Sequence, residues 1–201
     1  MSGEVVKSFT TPGVNAHGLA FDGKYIWHTD RTTGLVYQLN IDGIEIRSFA
    51  IPGNDPHGLT FDGKYLWVSD KVTIKIYQID LDGIKISSPA SPVASPRDLT
   101  FDGKYLWICD ITTTSIYQLN LDGVIIKSFV TPGDNPKGLT FDGKYLWVGD
   151  TYLHKIYQID LDGIEIRSFA SPGTAPTGLT FDGKYLWVCD NETNMIYQIA
   201  I

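Results

Sequence analysis

Five residues at a strict forty-residue step, His17, His57, Arg97, Lys137 and Thr177, are the side chains of this 201-residue sequence best suited to hold a ligand. Two imidazoles, a guanidinium and an ammonium brought to one place make a cationic ring. Such a ring takes a carboxylate, phosphate or sulfate, with Arg97 supplying bidentate geometry. Asp55, Asp98 and Asp134 stand nearby in sequence and would neutralise the ring if they turned toward it. His17, His28 and His57 form a second candidate set, because imidazoles converging on one point ligate Zn²⁺ or another transition metal. Their spacing matches no established metal motif, and strand alternation can send His28 to the other face of a sheet. A third set, Asp30, Asp70, Asp110, Asp150 and Asp190, has the look of a catalytic carboxylate ring. Each is followed three positions later by Thr, or once by Leu153, which is the pattern of an Asp that caps its own turn. These five read as structural. No Ser-His-Asp spacing, Gly-rich phosphate loop or paired-carboxylate motif stands out.

What must position these residues is a repeat with a period of forty. GLAFDGKYIW at Gly18 returns as GLTFDGKYLW at Gly58, DLTFDGKYLW at Asp98, and GLTFDGKYLW at Gly138 and Gly178. A second block, VYQLNIDGIEIRSF from Val36, keeps the same step. Within a copy, short β-branched and aromatic runs are bounded by Gly, Asp and Pro, and nine Asp-Gly pairs supply the positive φ that a tight hairpin requires. The second copy is expected to hold strand A at His57 to Phe61, B at Tyr65 to Ser69, C at Lys75 to Asp80 and D at Ile84 to Ser88. Four antiparallel strands in forty residues make a propeller blade. The chain begins on a D-type segment, Gly3 to Phe9, and stops after a C strand ending at Ile201. The N-terminal strand would therefore complete the C-terminal blade, giving an all-β, single-domain propeller of five blades over residues 1–201. Forty-residue blades also suit rings of six or seven, built by a larger protein or by assembly of chains; the complementary ends favour closure within one chain.

The stretch P-x-G-L-T-F-D-G-K-Y-L-W-V-x-D followed by I-Y-Q-I-D-x-D-G resembles NHL-type repeats and the related SMP-30 and streptogramin-lyase propellers. The resemblance spans the whole chain and rests on residues that build turns and strands. It implies a propeller whose relatives include lactone hydrolases, a lyase and binding platforms for protein or RNA. The lactonases share an acidic and amide metal site on the central axis, and no matching Glu and Asn set is present here.

By chain direction the A–B and C–D turns share one rim, and the B–C and D–A connections share the other. Asp-Gly-Lys recurs unchanged on the first rim, whereas the loops of the second differ from copy to copy. Loops on a rigid scaffold carry binding residues, so divergence confined to one face points to recognition there. Thr32, Val72, Tyr152, Leu153 and Met195 add apolar area to that face. The five Trp residues, one per copy, read as packing between blades. Cys109 and Cys189 fall in blades that are not neighbours and are expected to be free thiols. The Asn191-Glu192-Thr193 sequon is expected to be chance.

Sixteen Lys and Arg against 23 Asp and Glu leave a net charge of −7, the wrong sign for a protein that neutralises phosphates along nucleic acid. No apolar run is long enough to span a membrane, and the first nine residues lack the pattern of a secretion signal. A cytoplasmic monomer is expected, with no nucleic-acid or membrane partner. The sequence points first to a non-enzymatic scaffold that binds a small anionic molecule or a protein segment through the variable face, with no cofactor. A lyase or hydrolase with a transition metal on the axis is the second reading. A recently amplified or consensus-built propeller with no function beyond folding is the third.

Overall fold

The computed structural model describes residues 3–201, and every regular element in them is a β-strand. The first is β1 (Glu4–Thr10). Blade one follows with β2 (Ala16–Phe21), β3 (Ile26–Asp30), β4 (Leu35–Leu39) and β5 (Glu45–Ala50). Blade two holds β6 (Pro56–Phe61), β7 (Leu66–Asp70), β8 (Lys75–Ile79) and β9 (Lys85–Ser87). Blade three holds β10 (Pro96–Phe101), β11 (Leu106–Asp110), β12 (Ser115–Leu119) and β13 (Ile125–Val130). Blade four holds β14 (Pro136–Phe141), β15 (Leu146–Asp150), β16 (Lys155–Ile159) and β17 (Glu165–Ala170). The last strands are β18 (Pro176–Phe181), β19 (Leu186–Asp190) and β20 (Met195–Ala200).

These strands form five four-stranded antiparallel sheets, and the fifth runs β18-β19-β20-β1. The N-terminal strand does complete the C-terminal blade, with Glu4 opposite Ala200 and Thr10 opposite Met195. The second strand of each blade starts and ends one residue later than expected. In blade two the outer strand is also cut short, because Pro89 stands where other copies have Phe and offers no N–H to the ladder.

The core lies between blades. Trp27 packs with Leu59, Leu66, Val68 and Ile79 of the next blade, and Trp187 closes the ring against Leu19, Ile26 and Leu39 of blade one. Each indole N–H leaves this core to donate, over 2.7 Å, to the Asp of the first Asp-Gly turn in its own blade. The other oxygen of that Asp accepts from the next two N–H groups, as Asp62 does from Lys64 and Tyr65. The following Lys lies over the Tyr ring, with Lys64 Nζ 4.7 Å from the Tyr65 centroid. The constant rim thus has its own physical cause, since each turn satisfies a buried Trp. Its constancy is no measure of drift on the opposite face.

On that opposite face the β3–β4 turn carries Gly34 at φ 68°, but the equivalent residues elsewhere are Ile74, Thr114, His154 and Asn194, all with φ between 49° and 55°. Ile74 and Thr114 are β-branched, and a positive φ crowds their side chains against the backbone.

Candidate functional site

The inner strands β2, β6, β10, β14 and β18 ring the axis, each packed on the next. Each meets its own partner strand with a register slip. Pro56 opposes Asp70, but Leu59 opposes Val68, so one extra residue is accommodated around His57 and Gly58. A bulge of this kind re-aims a side chain. The same slip occurs in every blade, at His17, Arg97, Lys137 and Thr177.

A latch from the neighbouring blade fixes the bulged backbone. Thr29 Oγ1 accepts from Gly18 N–H and donates to the His57 carbonyl, both over 2.8 Å. Ser69 repeats this with Gly58 and the Arg97 carbonyl. The thiols of Cys109 and Cys189 donate to the Lys137 and His17 carbonyls at 3.6 and 2.7 Å. Both cysteines are free and buried, and burial pushes their thiols up, so they act as neutral donors. The Asp ring has the structural part expected of it. Asp70 Oδ2 accepts from Asn54 and Asp55 N–H in the loop before β6, and Oδ1 from the N–H and hydroxyl of Thr73 in the next turn.

Three of the five predicted ligand residues, His17, His57 and Arg97, meet at one end of the ring axis, the mouth of the propeller, and Lys137 lies near enough for its charge to act on them. The His17 and His57 rings meet edge to face with centroids 4.7 Å apart, and Arg97 Nη1 lies 2.9 Å from both ring nitrogens of His57. Burial, then the charge of Arg97, holds His57 down to about 2. Burial, then His57, does the same for His17. Both are therefore neutral at pH 7, and the 3.4 Å approach of His57 Nε2 to Asp55 is a polar contact, not an ion pair. His17 Nε2 sits 3.1 Å from Asn15 Oδ1 and 3.4 Å from Asn191 Nδ2. Burial, then Arg97 and Arg31, pulls the Lys137 ammonium below its usual range. Arg97 is only 7% exposed, and its Nε has no hydrogen-bond partner. Thr177 is placed differently from the other four, because its hydroxyl donates to the Ala16 carbonyl across the blade boundary at 2.9 Å.

The residue after each ring Asp, where the variable loop begins, adds a second tier: Arg31, Lys71, Ile111, Thr151 and Asn191. Arg31 is held by Asp55 at 2.5 and 3.2 Å, so that carboxylate is committed to a cation already. Beside this tier, between blades three and four, a cleft of about 350 Å³ is lined by Ile111, Asp134, Asn135 and Tyr152. Asp134 thus lines the cleft, and Asp98 turns down to the axis. A forty-step comparison of the residues after Asp30 would have found Arg31 and Lys71.

His28 does not join the other two histidines. It is fully buried between blades, stacked on Tyr37 at 4.9 Å, with Nδ1 3.3 Å from the Thr29 carbonyl and Nε2 without a partner. Among the described residues no group of three His, Cys, Asp or Glu side chains is placed to hold a metal ion.

The fold and its axial mouth define a five-bladed β-propeller. The glutaminyl cyclase of Myxococcus xanthus is similar, with a TM-score of 0.83 at 11% identity over 98% of this chain and 94% of that one. The virginiamycin B lyase of Staphylococcus aureus gives a TM-score of 0.59 at 21% identity, over 92% of this chain and 66% of the lyase. A catalytically inactive variant of that lyase with quinupristin gives 0.61 at 20%, over 96% and 83%. At such identities the likeness is one of fold, and the streptogramin-lyase resemblance of the blade motif holds at that level. No family model matches the chain, and no curated protein sequence matches it. No helix among the described residues is long and apolar enough to cross a membrane.

Proposed function

We propose that this propeller is a non-enzymatic binding scaffold that takes a small anion at the end of its axis where Arg97 and His57 meet. One observation carries the reading: Arg97 is buried at the mouth with Nε unpartnered, its neighbours His17 and His57 are neutral, and Lys137 and Lys71 add positive charge beside the paired Arg31 and Asp55. A buried guanidinium without a carboxylate costs free energy that an incoming anion would recover. Ligand oxygens would accept from Arg97 and Lys137, while the single N–H of each neutral imidazole faces Asn15 or Asp55. The cleft by Ile111 and Tyr152 offers room for the rest of a larger ligand. The reading needs no metal.

The test is a phosphate titration followed by calorimetry and melting temperature, at constant ionic strength set with sodium gluconate. Arg97→Gln and Lys137→Gln are each expected to weaken phosphate binding about 10-fold or more, the worth of a charge-assisted hydrogen bond. Equal responses from wild type and both variants would sink the reading.

A further inference from the structure

We infer that the axis of the propeller is a second, separate anion seat, built from main-chain N–H groups of several blades, and that Asp98 is its built-in occupant. Four N–H groups from four blades converge on this one carboxylate. Oδ1 accepts from Leu59 at 3.1 Å and Leu99 at 3.0 Å, and Oδ2 from Leu139 at 2.9 Å and Leu179 at 3.0 Å. These leucines are successive copies of one position on the inner strands. An inner strand is the edge of its sheet, so N–H groups on that side face the axis without a ladder partner. The repeat therefore gathers orphan donors at one point, whatever residue fills it.

Asp98 breaks the repeat to fill that point. The equivalent residues are Gly18, Gly58, Gly138 and Gly178, and the space there is tight. A Cβ at Gly178 would run into the His17 carbonyl oxygen, one at Gly58 into the backbone of Arg97 and Asp98, and one at Gly18 into the backbone of Leu59. Burial pushes the Asp98 carboxyl up, and the four N–H groups oppose that shift. Each oxygen already takes two N–H donors, which occupy the lone pairs a proton would need, so the geometry is that of a carboxylate. With this side chain removed, the seat would take a planar oxyanion of the same size, such as formate or nitrate.

The experiment compares wild type with Asp98→Gly, which restores the residue of the other copies, by melting temperature in gluconate buffer with and without sodium formate at fixed ionic strength. The variant is expected to melt lower than wild type and to regain roughly 5 °C at formate 100-fold above its dissociation constant, with a smaller response from wild type. The wild type retains the mouth, so this difference isolates the axis from the phosphate site. A second variant, Asp98→Gly with Gly138→Asp, moves the carboxylate to the next blade. At Gly138 a new Cβ comes within 2.9 Å of Cγ of the buried Leu179, so that core side chain must shift to admit it. That double variant is expected to melt above Asp98→Gly without formate, and below wild type by the cost of moving Leu179. If Asp98→Gly is as stable as wild type in gluconate, or gains no more from formate than wild type does, the seat is refuted. Should that variant not fold, the isosteric Asp98→Asn decides, because its amide NH2 would face two main-chain donors: a melting temperature equal to wild type overturns the seat, and a clear loss supports it.

Discussion

Arg97 donates to His57 across 2.9 Å, and after burial itself this guanidinium does most to keep a second positive charge off the imidazole. The two residues are one turn of the repeat apart, so the contact joins neighbouring blades at the mouth. It also commits only one of Arg97's nitrogens, leaving Nε for something else.

Acid should destabilise this protein earlier than a carboxylate-driven transition would. His17 and His57 are held down to about 2 and His28 to about 4, against an ordinary value of 6.5. A depressed histidine binds fewer protons folded than unfolded. Its contribution is complete above pH 6.5 and is lost as pH falls from there toward the folded value, at about 1.4 kcal/mol per pH unit per residue. The urea midpoint is expected to fall steadily from pH 7 to pH 5, and less steeply by about one proton in His57→Gln. Identical slopes would show that His57 titrates normally.

Ile74→Gly should make the protein more stable. Ile74 has φ 51° and is 43% exposed, so glycine relieves left-handed strain while giving up little packing. The expected gain is about 1 kcal/mol, read as a higher urea midpoint at unchanged slope. A loss of stability would mean that the turn tolerates isoleucine without strain.

Asp62→Ala should remove a structural carboxylate from the constant rim. It leaves Trp67 Nε1 and the N–H groups of Lys64 and Tyr65 without their acceptor. A cost of about 2–3 kcal/mol, or a melting temperature lower by roughly 5–10 °C, is expected. Tryptophan fluorescence through the transition would check it.

His28→Val replaces a buried imidazole, one nitrogen of which has no partner, by the residue found in three other blades. The lost stacking on Tyr37 is outweighed by removal of a desolvated polar atom, and a gain of about 1 kcal/mol is expected. A melting temperature below wild type would show that the Tyr37 stack matters more.

Most of the architecture was legible because one repeat printed five times shows its own turns. The Asp-Gly pairs, the alternation and the N-terminal segment matching Gly43 to Phe49 led directly to closure by β1. The mouth was legible only in part. His57, Arg97 and Lys137 could be placed by counting, but their charge states depend on burial and on Arg31, which reaches the same point from a different loop. Thr177 and His28 stand apart from the other candidates for one reason, that a position in a repeat does not say which neighbour a side chain meets. Asp98 carried a signal that could have been used, as the lone carboxylate in a line of glycines. Its role became apparent only once four leucine N–H groups were seen around it.

Four sheets are assembled from strands consecutive in sequence, whereas the fifth joins Glu4 to Ala200, separated by nearly the whole chain. The entropy of that long loop must be overcome before its contacts reward it. Refolding should therefore pass through a state with four finished blades and an open fifth, in which Trp187 lacks the covering ring of Phe9. In that state the free edge of β20 cannot distinguish its own residues 4–10 from those of another molecule. Protein concentration during refolding then sets how often rings close on themselves and how often they close on each other.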